Sequence, residues 1–243
     1  MLSILRKELN TFFSSLIGYI VIGVFLAVLG AVLFVFPDSS LLDSPFASLD
    51  PLFDLAPVIF LFLVPAITMR LIAEERLFGT LELLVTRPLR DWDIVAGKFL
   101  AALLLVFFAL LPTVLYYVTI YRLGQPPGNL DSGAILGSYL GLLFLSAAFV
   151  SMGLFASSLT RNQIVAFVLA TLLGFVFYYG FFYLSRLPVF VGWADDVVQM
   201  IGMDYHYSSI SRGVLDTRDV LYFLSLTALF LAATLLSLDR RRW

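Results

Sequence analysis

Arg70, Glu74, Glu75, Arg76, Glu82, Arg87, Arg90, Asp91, Asp93 and Lys98 crowd one short stretch of a chain in which only 13% of residues are charged. Charge at that density could serve catalysis, metal binding, phosphate binding or recognition. Most of these are closed. The chain has no cysteine, which removes thiol chemistry, disulfides and thiolate-bound metal. Its single histidine, His206, leaves no histidine cluster for a metal. The nearest approach to a phosphate-binding loop is Gly97-Lys98. There Trp92 stands where the first glycine of G-x-x-x-x-G-K-[ST] belongs, and Phe99 where the hydroxyl belongs. No hydrolase or kinase signature occurs elsewhere. The chain is therefore expected to be no enzyme and to hold no cofactor of its own. Recognition is left: a polar stretch on which another molecule docks.

The local pattern fits a docking element. Gly79 interrupts the chain and Thr80 is placed as a helix N-cap. Leu81, Leu83 and Leu84, with Glu82 among them, make a short amphipathic turn, and Pro88 ends it. The elements that hold this stretch are apolar. The chain is 61% hydrophobic, where a soluble domain is typically about 45–50% apolar. Runs of about twenty uncharged residues are the length a bilayer requires.

In order, residues 1–13 place Leu2, Leu5, Leu9, Phe12 and Phe13 on one helical face, as an interfacial helix would, with Arg6 and Lys7 near lipid phosphates. Six spans follow, at about 14–36, 52–71, 99–121, 134–159, 163–184 and 220–238. The first apolar run is too long for a signal-peptide core and reads as a retained anchor. The second span carries Pro57 and Pro65 and is expected to be kinked. The fourth contains the close-packing pair Gly137 and Gly141, read chiefly as packing within one subunit. Residues 185–217 are apolar in pieces too short to span, which fits short helices dipping in from the far side. Asp216 is placed to cap the last span. The expected fold is thus an all-α integral membrane protein in one domain.

Both ends of a six-span chain lie on one side. That side carries Arg6, Lys7, the Arg70–Lys98 bases, Arg161 and Arg240 to Arg242; the other has only Arg122, Arg186, Arg212 and Arg218. The positive-inside rule puts the basic side, and with it the 70–98 stretch, in the cytoplasm. Within Leu55–Met69, Phe99–Tyr121, Ala134–Leu159 and Ile164–Ser185 no ionisable group other than tyrosine occurs. Ion-coupled carriers use buried acids or histidines as relays, so that class is disfavoured. A transport protein without its own coupling ion needs energy from elsewhere, and a cytoplasmic ATPase acting on the 70–98 stretch would supply it.

Glu74-Glu75-Arg76, then Gly79-Thr80-Leu81-Glu82-Leu83-Leu84, Thr86 and Pro88, then Gly97-Lys98, resemble the coupling region of type-2 ABC export permeases. The resemblance covers the whole chain. It implies six spans, an N-terminal interfacial helix, a cytoplasmic coupling helix after the second span, and outer helices that re-enter before the sixth. It implies a partner ATPase subunit that binds the ATP, and a second permease-like subunit or a second copy of this chain. It assigns ATPase coupling to Glu74, Glu75, Gly79, Thr80, Glu82, Thr86, Arg87 and Pro88. Residues 62–70, 135–144, 162–167 and 211–219 are similar to the gliding-motility (GldF) branch of that family, and a bacterial inner membrane is the implied location. The expected function is the permease subunit of an ATP-driven exporter. A membrane scaffold for a motility or secretion machine is the alternative the residues leave open. The bilayer is the remaining partner, and no nucleic acid is expected.

Overall fold

Helix is the only way for a chain this apolar to satisfy its backbone inside lipid without closing a barrel. A computed structural model is accordingly all-helical. It describes residues 1–36, 40–42, 46–80, 90–124, 126–188, 192 and 194–239. The helices are α1 (Leu2–Ser14), α2 (Leu16–Phe34), α3 (Asp50–Leu77), α4 (Asp91–Leu110), α5 (Val114–Leu123), α6 (Ser132–Leu159), α7 (Gln163–Phe175), α8 (Phe181–Ser185), α9 (Asp195–Gln199), α10 (Met203–Ile210) and α11 (Thr217–Asp239). A 3₁₀ turn at Leu111–Thr113 joins α4 to α5, and a π turn at Val176–Gly180 joins α7 to α8. Taken through these turns, five helices are long and apolar enough to cross a membrane, and α1 with α2, bent by 67°, makes up to six.

α6 is the hub. It packs along α3, α7 and α11, and its small residues set how closely. A Cβ on Gly137 would lie 2.7 Å from the Gly213 carbonyl oxygen, one on Gly141 would strike Ile210, and one on Gly153 would strike Thr68. The Gly137 and Gly141 pair therefore seats α10 and the turn after it within the same chain. Ser157 binds α6 to α3 by polar contacts. Its hydroxyl accepts from the N–H groups of Ile72 (3.1 Å) and Ala73 (2.9 Å) and donates to the Met69 carbonyl (3.0 Å).

The prolines fall where neighbours can make good the missing bonds. α3 stays helical through Pro57 and Pro65. Pro57 has no N–H to offer Phe53, and the Tyr207 hydroxyl of α10 donates to that carbonyl instead, at 2.8 Å. In the third span Pro112 forces the 3₁₀ turn, where the Thr113 hydroxyl donates to the Leu110 carbonyl.

The region before the last span holds the short helices α9 and α10. His206 on α10 lies between Asp219 Oδ1 (2.7 Å from Nδ1) and the Met200 carbonyl (2.9 Å from Nε2), with its ring stacked on Tyr222. It ties α10 to the first turn of α11. Asp216 Oδ1 accepts the Arg218 N–H at the start of that helix.

Candidate coupling site

Both helices that flank the 70–98 stretch run into it. α3 continues to Leu77 and α4 begins at Asp91. Gly79 then turns the chain with φ +69°, a left-handed conformation open to glycine at little cost. The Thr80 hydroxyl donates back to the Glu75 carbonyl at 3.3 Å, and the N–H groups from which it would accept as an N-cap lie outside the described residues. At the far end the Asp93 carboxylate accepts the Arg90 N–H and closes the first turn of α4. Glu82, Thr86, Arg87 and Pro88 lie outside the described residues.

The charged residues on the helical ends converge on α1. The expected lipid-type stripe of α1 is rotated by about one position. Ile4, Glu8 and Phe12 are the buried residues, while Leu2 is exposed. The acid in the middle of that stripe explains the rotation. Lys98 of α4 is only 1% exposed, and its ammonium meets Glu8 Oε1 at 2.8 Å, Glu75 Oε1 at 2.8 Å and the Leu71 carbonyl at 2.7 Å. Three donors have three acceptors, one on α1 and two on α3. Lys7 adds a second ammonium on Glu75 Oε1 at 2.8 Å. Its side chain, 54% exposed, thus pairs with the protein's own acid. Burial alone would lower the Lys7 pKa, but its hydrogen bond to Glu75 and attraction to Glu75 and Glu8 win and hold it above the ordinary lysine value. Gly97 permits the approach: a Cβ there would lie 2.9 Å from Ile4 Cγ2 and 3.2 Å from the Met1 carbonyl oxygen.

Two lysines and two glutamates make a neutral cluster. A cluster of this kind adds little net stability against an apolar core, but removing one member leaves a buried charge uncompensated. Its effect is to fix one arrangement of α1, α3 and α4. Of the residues assigned to coupling, Glu75 is in this cluster and Glu74 stands half-buried beside it. Glu75 Oε2 has no hydrogen-bond partner among the described residues, nor have Nε and Nη2 of the buried Arg76. Glu8 and Lys98 as cluster partners escape a sequence reading. The one sign of them is an acid at the i+4 position between Ile4 and Phe12, where an amphipathic helix should be apolar. No group of side chains that could hold a metal occurs among the described residues.

An all-helical bundle with five or six candidate spans and a buried ionic cluster at one end defines an integral membrane protein. The family model described as "ABC-2 family transporter protein" matches residues 2–243, and the chain belongs to that family. A search among curated proteins found no match. The chain is therefore a multi-pass membrane protein of a family whose members are typically transporter membrane subunits.

Proposed function

We propose that this chain is the permease subunit of an ATP-driven ABC exporter, moved by a separate ATPase that docks on the 70–98 stretch. The observation that carries this reading is the Glu8–Lys98–Glu75–Lys7 cluster. It joins α1 to the last turns of α3 and the first turns of α4, the two helices that the stretch connects. A push on the stretch then moves three helices together instead of being absorbed at its ends. Glu74, Gly79, Thr80, Glu82, Thr86, Arg87 and Pro88 form the contact with the ATPase, and the ATP is bound there, on the partner. The excess of basic residues on the side of the termini supports an inner-membrane location with both termini and the docking stretch in the cytoplasm. The resemblance of four segments to gliding-motility permeases supports a second permease-like subunit as partner, in a complex of that kind.

Affinity purification of the tagged chain from its own cells in a mild detergent tests the reading. An ATPase subunit and a second permease-like chain should accompany it. Recovery of intact, monodisperse protein that never carries an ATPase subunit would contradict it, and pairing with a second copy of itself would overturn the heteromeric part alone.

A further inference from the structure

α10 and the start of α11 lie at the opposite end of the bundle from the ionic cluster. Ser237, at the far end of α11, donates to the Ser158 carbonyl, next to the Ser157 that holds the end of α3. The His206 ring has an acceptor at each nitrogen: Asp219 Oδ1 at 2.7 Å from Nδ1 and the Met200 carbonyl oxygen at 2.9 Å from Nε2. A carboxylate and a carbonyl both accept, so each ring nitrogen must bring a hydrogen for both bonds to form, and a neutral imidazole carries one. Two bridges therefore need two protons on the His206–Asp219 pair, however the pair shares them. The side chains are 12% and 10% exposed, which leaves water little room to stand in for either bond. Tyr222 lays its ring on the imidazole, 3.9 Å between centres and 20° from parallel, a contact that suits a cation. Its hydroxyl donates to the Ile201 carbonyl at 2.6 Å. Two successive carbonyls of the turn between α9 and α10 are thus gripped from inside, while the side chains of Met200 and Ile201 stand exposed.

We infer that His206 and Asp219 form a proton-operated latch: with two protons the pair holds the α9–α10 turn against α11, and loss of one releases the turn at Met200. Relative bond strength decides which bridge fails. The proton that remains stays on Nδ1, because a hydrogen bond to a carboxylate is roughly twice as strong as one between neutral groups. Nε2 then turns a lone pair on the Met200 carbonyl, and two acceptors face each other across 2.9 Å. α10 stays tied to α11 through Asp219, while the turn is left with the Tyr222 hydroxyl alone. Of the elements packed on α10, α11 brings Asp219 and Tyr222, the π turn brings Tyr178 and Tyr179, and α6 brings Tyr139 as its one ionisable group. α10 adds Tyr205, edge-on to the ring at 5.3 Å, and Asp204. Phenols titrate well above imidazole. Asp204 is the competing group, since burial holds its carboxyl above the usual value. The latch is reached from the side of the membrane opposite the ionic cluster and answers to the pH there, so it stands or falls apart from ATPase coupling.

His206 is the chain's one histidine, so the full chain labelled with heavy nitrogen at histidine shows the ring's protonation directly by nuclear magnetic resonance. The test follows that signal in detergent from about pH 5 upward until the ring is neutral. Beside it runs hydrogen–deuterium exchange at the Met200, Ile201 and Gly202 amides, which bond back into α9 and its cap, each rate divided by that of the unstructured peptide at the same pH. Protection should fall by about tenfold, the factor for one hydrogen bond, in step with loss of the second proton. Asp219→Asn separates a latch from a merely structural contact. The amide can accept from an N–H or donate to a bare nitrogen, so both bridges survive on a neutral ring and protection should no longer follow pH. Asp204→Asn should leave the response as it is. Protection that stays constant while the ring of the unaltered chain loses its proton would overturn the proposal without reliance on any variant. So would a neutral ring in the protected turn, an Asp219→Asn chain that responds as the unaltered one does, or a response that disappears in Asp204→Asn.

Discussion

Lys98 ties α4 to both α1 and α3. It reaches a carboxylate on α1, a carboxylate on α3 and a backbone carbonyl, with almost no exposure. Lys98→Met keeps the stem's volume but leaves Glu8 and Glu75 to share Lys7 alone, at 3.4 and 2.8 Å, and should destabilise the purified protein by about 3–5 kcal/mol. Adding Glu8→Gln should recover part of that loss, because one of the two charges that share Lys7 goes with it. Thermal unfolding in detergent, followed by circular dichroism, measures both. Lys7 gives a pH signature of the same cluster. Its folded-state pKa is raised, so its contribution is fully present below the ordinary lysine value and is lost as pH rises through the higher folded value. Lys7→Gln should therefore narrow the stability difference between neutral and strongly alkaline pH. Ser157 makes the neutral counterpart. Ser157→Ala leaves the Ile72 and Ala73 N–H groups with one acceptor fewer and should cost about 1–2 kcal/mol.

At the scale of elements, the close approaches decide how the helices sit. Gly97→Val should unseat α1 from α4, because the first added carbon already meets Ile4 and the Met1 carbonyl. Limited proteolysis should then release the N-terminal segment sooner than in the unaltered chain, while α3, α6 and α11 stay protected. The long apolar helices are legible in sequence because length and hydropathy alone define them, and α6 and α11 fall close to the expected bounds. The ends of α3 and α4 are less legible. Charged residues from Arg70 to Leu77 read as loop, yet they remain helical because α1 supplies partners for them. The buried face of α1 was hidden for the same reason. Glu8 belongs to the core only because Lys98, ninety positions away, is there to meet it. Periodicity reports which residues shun water and is silent on charges that pair across the fold. The turn at Gly79, by contrast, is read correctly from the residue itself, since its φ of +69° is one that side-chain-bearing residues rarely adopt.

On the scale of the whole molecule, the bundle carries its excess of basic residues on the side expected for the termini. Orientation has a direct check, since the chain has no cysteine of its own. Cysteines placed at Ser39, Asp131 and Asp195 should react with a membrane-impermeant reagent in intact cells, and one at Arg87 should not; the reverse pattern would place the docking stretch outside. The isolated chain should show no saturable ATP binding by calorimetry, because Trp92 and Phe99 break the only approach to a phosphate cradle. The central claim is that the stretch between α3 and α4 holds the ATPase, and Glu82 reports on it most directly. The short helix expected from the sequence over 80–86 would favour a carboxylate in its first turn by roughly 0.3–1 kcal/mol, which Glu82→Gln would forfeit. Glu82→Lys also sets a like charge into a desolvated contact, where breaking a charge pair can cost about 2–5 kcal/mol. The measurement is the amount of ATPase that co-purifies with each tagged variant at equal membrane levels. The account predicts partial loss for Glu82→Gln and near-complete loss for Glu82→Lys; retention by Glu82→Lys equal to that of the unaltered chain would contradict it.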